Sequence, residues 1–158
     1  MSDHLLEHVR PYLDRDADER IHYIRAPRWI GHPIAKDAHR RLGELFSRPP
    51  SLRTDGLMLV GPYANGKTMI AERFAVEHLR SASKQKVWMV QTREGAGLGH
   101  FYGSVLQALR APTGDRWDVG RKAEQVDHLL ASLKPKVLIF DEFHNALRGR
   151  ARDIEAVF

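Results

Sequence analysis

The sequence predicts an α/β domain with helices on both faces of a parallel sheet. Three observations carry that prediction. Runs at 57–60, 87–90 and 137–140 are apolar throughout and rich in valine, leucine and isoleucine, the pattern of strands buried on both faces. Helical periodicity fills the intervals between the runs, giving a strand-helix-strand-helix-helix-strand order. A glycine-containing loop leads from the first run directly into a helix.

The elements follow in order. Leu5, Leu6 and Val9 open a helical, amphipathic lead-in that Pro11 interrupts, and residues 17–25 place Ile21 and Ile24 on one side of a second helix that ends at Pro27. Beyond Trp29, Ile30 and Gly31, Pro33 occupies a helix-starting position, and Ile34, Ala38, Leu42, Leu45 and Phe46 recur at spacings of three and four. That helix stops before Pro49 and Pro50, and residues 47–56 read as a loop. The later helices are expected over 68–79, over 101–109 with Phe101, Val105, Leu106 and Leu109, and over 123–133 with Val126, Leu129, Leu130 and Leu133. Gly95, Gly97 and Gly99 mark one flexible loop, and residues 111–120 a second. The expected organisation is a helical N-terminal segment, 1–50, followed by an α/β core, 51–158, with no internal repeat.

Composition narrows the functional classes. A chain of 158 residues, 42% hydrophobic and 28% charged, fits one packed domain and excludes global disorder. No apolar stretch reaches the roughly 18–20 residues that cross a bilayer, and residues 1–10 lack the apolar centre of a signal peptide, so the expected location is cytoplasmic with no membrane partner. The absence of cysteine excludes a disulfide scaffold, a thiolate metal site and a cysteine nucleophile. The net charge of +5 and nine histidines favour an anionic partner, nucleotide or nucleic acid.

The chemistry is concentrated in Gly61-Pro62-Tyr63-Ala64-Asn65-Gly66-Lys67-Thr68, which matches the phosphate-binding loop pattern of glycine, four residues and glycine-lysine-threonine. A strand running in and a helix running out let successive backbone N–H groups turn inward around a phosphate. Gly61 and Gly66 permit close backbone approach, Lys67 reaches the β and γ phosphates, and the Thr68 hydroxyl is placed for Mg²⁺. Met69, the next residue, completes the candidate nucleotide-binding set. A second signal lies at Asp141 and Glu142, two carboxylates at the end of an apolar run, which are costly there unless something positive is present. Asp141 would hold Mg²⁺ through its water shell, and Glu142 would polarise the water that attacks the γ-phosphate. Together the two signals point to Mg-ATP binding and hydrolysis.

Weaker signals each have a bland alternative. His4 and His8 are four apart and suit a metal or a solvated helix face. Arg148, Arg150 and Arg152 suit a solvated loop or a contact to an anion or DNA, and Arg93, Arg121 and Lys122 flank loops at the strand-end side where ligands of open α/β folds bind. Trp29, Ile30 and Gly31 suit either a wall for an adenine ring or simple packing at a helix junction.

Taken with Trp29-Ile30-Gly31, the run from Gly61 to Ile70 followed by Glu72-Arg73-Phe74, and Ile139-Phe140-Asp141-Glu142-Phe143-His144-Asn145, the chain resembles the TniB family of transposition ATPases, AAA+ proteins related to the TnsC targeting ATPases. The likeness extends from about Leu5 to Arg148. It implies a P-loop NTPase fold of the AAA+ kind, a three-layer sandwich, and an ATP-dependent protein that binds duplex DNA, assembles as a homo-oligomer or filament and activates a DDE transposase. It also implies that Gly61, Gly66, Lys67 and Thr68 form the family's phosphate loop and that Asp141 and Glu142 are its magnesium-binding and water-activating acids. His144 and Asn145 match the family run without an assigned role. AAA+ modules order their strands 5-1-4-3-2, so a chain ending at Phe158 lacks the strand between its first and third, and the sensors, arginine finger and lid would lie beyond it. The expectation is therefore a fragment or truncated form. Two other functions stay open: a nucleotide-gated interaction module without hydrolysis, and another AAA+ role such as replication initiator or helicase loader.

Overall fold

A computed structural model describes residues 5–26, 28–51, 54–79, 86–95, 97–114 and 117–148. The chain divides into two compact units, Met1–Gly31 and His32–Phe158.

In the first unit a 3₁₀ turn at Arg10–Tyr12 follows from Pro11, which cannot donate to a helical ladder but fits a first turn. Helix α1, Ala17–Arg25, starts where the Asp16 carboxylate accepts the Glu19 N–H at 2.8 Å, satisfying one of the donors a helix start leaves free. Tyr12 stacks on Tyr23 with ring centroids 3.6 Å apart. None of the α1 residues is buried, so Ile21 and Ile24 share a side without forming a core.

The second unit holds the α/β architecture. Helix α2, Pro33–Ser47, opens on Pro33 with His32 as its cap, and α3, Lys67–Leu79, follows the glycine loop. Strand β1, Val87–Gln91, leads to α4, Leu98–Ala108, and α5, Val119–Leu133. Strand β2, Val137–Asp141, is followed by a 3₁₀ segment, Phe143–Arg148. The strands pair in parallel with Val87 opposite Val137 and Gln91 opposite Asp141.

Because side chains alternate across a strand, this register sends Trp88, Val90 and Phe140 to one face and Val87, Met89, Ile139 and Asp141 to the other. The first face meets α4 and α5: Val90 is buried with Val105, Leu106, Leu109 and Val126. The second face meets α3, against which α2 packs. There Phe74 stands edge-on to Phe46, with centroids 6.4 Å apart, and Lys136 reaches from the start of β2 to the Phe46 ring and carbonyl. Helices thus cover both faces, as the sequence predicts. Burying the apolar faces of β1 and α4 removes whole side chains from water, at about 1.5–3 kcal/mol for each Val, Leu or Phe.

One expectation is overturned. The sheet of the described residues has two strands, and the run at 57–60 is not a third: it joins no ladder, and Met58 and Val60 are 70% and 84% exposed. Apolar composition favours burial but does not supply ladder partners, and backbone N–H and C=O groups without partners stay where water can reach them. Among the described residues no helix is long and apolar enough to cross a membrane.

Candidate functional site

The site lies where the glycine loop and the end of β2 converge. Gly66 adopts φ +75°, a left-handed conformation open to glycine, and its carbonyl accepts the Ile70 N–H at 3.0 Å, so the loop turns at once into α3. Ala64 also sits at positive φ, +57°, a conformation that costs a side-chain-bearing residue roughly 1–2 kcal/mol. At Gly61 a Cβ would stand 3.2 Å from the Asn65 side-chain amide, tighter than ordinary contact, so a residue without a side chain lets Asn65 fold back over the loop.

Lys67 turns its ammonium into this loop, donating to the Gly61 carbonyl at 3.0 Å and the Pro62 carbonyl at 2.7 Å. A cation held by two neutral carbonyls is well placed to exchange them for a stronger anionic acceptor. Tyr63 is 95% exposed and Met69 faces solvent, so neither is committed to the core. A cleft of about 260 Å³ adjoins the loop, bordered by Asn65, Lys67 and Ile70, by the 57–60 run, and by Ile34, Asp37 and Arg41 of α2.

Across the sequence, the Thr68 hydroxyl donates to Asp141 Oδ2 at 2.9 Å. The register explains why: Asp141 is the last residue of β2 on the face that α3 covers, and Thr68 lies in the first turn of α3. The other carboxylate oxygen, Oδ1, accepts the Glu142 N–H at 3.0 Å, which fixes the orientation of the group. Glu142 follows at φ +52°, and its carboxylate lies 3.3 Å from His144 Nδ1. The Thr68 hydroxyl and the Asp141 carboxylate therefore meet directly, with Lys67 and Glu142 adjoining them in sequence.

Asn145 was given no role by sequence reasoning, yet it is among the few buried polar residues, 5% exposed. Its Nδ2 donates to the Thr92 carbonyl at 3.0 Å and its backbone N–H to the Glu142 carbonyl at 2.9 Å. No local signal marks it: the turn back to Glu142 is closed by a backbone N–H that any residue but proline supplies, while its side chain bonds a carbonyl 53 residues away. Thr92 and Ser104 were also missed. Ser104 accepts the Arg93 N–H at 3.1 Å and donates to the His100 carbonyl at 3.0 Å, tying the end of β1 to α4. Phe143 sides with the same helix, edge-on to Phe101.

The other sequence candidates fare unevenly. Arg121 lies over the Trp117 ring at 4.5 Å, while Arg93 is exposed and Lys122 half-buried. Trp29, Ile30 and Gly31 belong to the first unit and the loop to the second. His4, Arg150 and Arg152 lie outside the described residues, as does the Arg148 side chain. Among the described residues no three His, Asp or Glu side chains gather as a metal-binding group.

Comparison with known proteins adds one finding. No curated protein and no solved structure matches the chain. A family model described as "Bacterial TniB protein" matches residues 20–158, a span that contains the glycine loop, both acids and Asn145. The chain belongs to the TniB family.

Proposed function

We propose that this chain binds Mg-ATP at residues 61–68 and hydrolyses it with Glu142 as the water-activating group, and that nucleotide controls its action in transposition. The TniB family is transposition-related, which sets the context. The single observation that carries the reading is the 2.9 Å hydrogen bond between Thr68 and Asp141, which joins the end of the glycine loop to the end of β2. A hydroxyl beside a carboxylate offers the hard oxygen donors that Mg²⁺ prefers, so the residues present fit this ion. Thr68 and Asp141 would hold it, and when bound it supplies positive charge to the phosphate oxygens. Lys67 leaves the Gly61 and Pro62 carbonyls for phosphate. Loop N–H groups orient the phosphate chain at the start of α3. Glu142 takes a proton at its carboxylate from the attacking water, and His144 Nδ1 lies by only one of its two oxygens, Oε2.

The family and the basic charge extend the proposal to duplex DNA as a partner, to self-assembly on it and to activation of a DDE transposase. Titration calorimetry with Mg-ATP tests the nucleotide site. Lys67→Ala should weaken binding by roughly ten- to hundredfold, the worth of a charge-assisted hydrogen bond of about 1.5–3 kcal/mol; unchanged affinity would sink the assignment. Glu142→Gln should keep ATP affinity and lower turnover by about 10²–10⁴-fold, the range for a lost general base. Equal turnover in both proteins would leave a nucleotide-gated module without hydrolysis. Labelled-duplex anisotropy with and without Mg-ATP tests the DNA step, and binding that ignores nucleotide counts against coupling.

A further inference from the structure

Glu142 carries its reactive carboxylate on a backbone that does not favour its own conformation. At φ +52° a residue with a Cβ is strained by roughly 1–2 kcal/mol, so neighbouring contacts must hold it there. Three hydrogen bonds close a ring around it. The Asn145 N–H donates to the Glu142 carbonyl at 2.9 Å, Asn145 Nδ2 donates to the Thr92 carbonyl at 3.0 Å, and the Thr92 N–H donates to the Asp141 carbonyl at 3.0 Å. The ring thus ties the two acids to the end of β1, which Ser104 anchors in turn through Arg93 and α4.

The ring is buried, and it is not optimised for stability. Asn145 is 5% and Thr92 3% exposed, and among the described residues Asn145 Oδ1 and Thr92 Oγ1 have no hydrogen-bond partner. Each such group costs about 1–3 kcal/mol, a cost that an apolar side chain at either position would avoid. An apolar side chain could not reach across to the Thr92 carbonyl, however. The one thing the amide contributes that leucine cannot is a fixed distance between the turn bearing Glu142 and the end of β1.

Resting on the ATPase reading above, we propose that Asn145 is a positioning residue that acts through Glu142: it locks the turn after β2 so that the Glu142 carboxylate is held at the reaction centre. It touches neither nucleotide nor metal. Its loss therefore lowers turnover and spares binding.

The test compares Asn145→Leu, nearly isosteric and unable to donate, with the wild-type chain. Asn145→Ser takes its place if the leucine variant does not fold. The expected result is a fall in kcat of about hundredfold, the cost of a misplacement near 1 Å, with ATP affinity within about twofold of wild type. In the Glu142→Gln background the same substitution should cause no further loss, because the group it positions is already gone. An equal further loss would mean a general structural role and overturns the proposal. A second readout needs no nucleotide: hydrogen exchange at the residue 145 amide should quicken at least tenfold while β1 and β2 amides hold, and unchanged exchange overturns it too. Failure here is distinguishable from failure of the ATPase reading. If Lys67→Ala leaves affinity unchanged, the nucleotide site is wrong. If Lys67→Ala weakens binding and Glu142→Gln lowers turnover but Asn145→Leu leaves kcat unchanged, the positioning role alone is refuted; if a chain that binds ATP shows no turnover sensitive to Glu142→Gln, the hydrolysis reading falls and the positioning role with it.

Discussion

Residues 57–60 and 137–140 are apolar runs of equal length, each leading into a loop that bears the candidate chemistry, yet they end in different places. The second is a strand: it pairs with β1 along its length and turns Phe140 toward Phe101, with ring centroids 5.4 Å apart. The first joins no ladder, and its Met58 and Val60 side chains lie in solvent. The difference teaches that an apolar run becomes a strand only when a neighbour supplies hydrogen bonds and a helix supplies cover. Residues 137–140 have both. Residues 57–60 have α2 and α3 alongside the cleft they border, but no ladder partner among the described residues.

The comparison breaks most visibly by removing cover from the paired side. Leu106 of α4 is fully buried against Val90, and Leu106→Ala should lower unfolding stability by about 2–5 kcal/mol through lost burial and the cavity left behind. The measurement is urea denaturation. A change below about 1 kcal/mol would mean that the α4 face is not the core of this unit.

Next in size is the local opening of the two runs. Amides with ladder partners open only with large cooperative units, whereas exposed ones exchange almost freely. Hydrogen exchange should therefore show residues 137–141 protected and residues 57–60 exchanging early. Equal protection would mean that 57–60 finds a ladder in solution. Val60→Ser sharpens the same point from the side chain: an exposed substitution should move stability by no more than about 0.5 kcal/mol.

This contrast also shows what could be read before the structure. The helix at 33–47 was legible because Pro33 starts it, prolines follow it, and Ala38 and Leu42 keep the spacing that buries one face. The candidate site was legible because glycine, lysine and threonine in that order have few other uses, and because Asp141 and Glu142 are conspicuous after an apolar run. The fate of 57–60 was not, because a ladder partner is a non-local property and both runs are apolar throughout. Asn145 was hidden for the same reason: its meaning lies in the Thr92 carbonyl, 53 residues away in sequence. The interval from the sequence start to Gly31 misled more gently, since helical spacing predicted α1 but could not say that its isoleucines would remain unburied.

The smallest effect concerns α2, which borders the cleft beside the unpaired run. Hydrogen bonds from Arg40 and then Arg41, at 2.6 and 2.8 Å, hold the Asp37 carboxyl below its ordinary value of 3.8. A carboxyl lowered on folding contributes stability that is fully present above the unfolded value and is lost as pH falls through the folded one. The contribution should therefore be constant near neutrality and disappear only in acid below 3.8. The carboxyl is about half exposed, so water and salt screen it. Asp37→Asn should lower the melting temperature slightly at pH 7, less at high salt, and not at all once the wild-type carboxyl is protonated. A large loss that persists in high salt would show that Asp37 supports the cleft by packing and not by charge, and would bring α2 into the structural support of the 57–60 run.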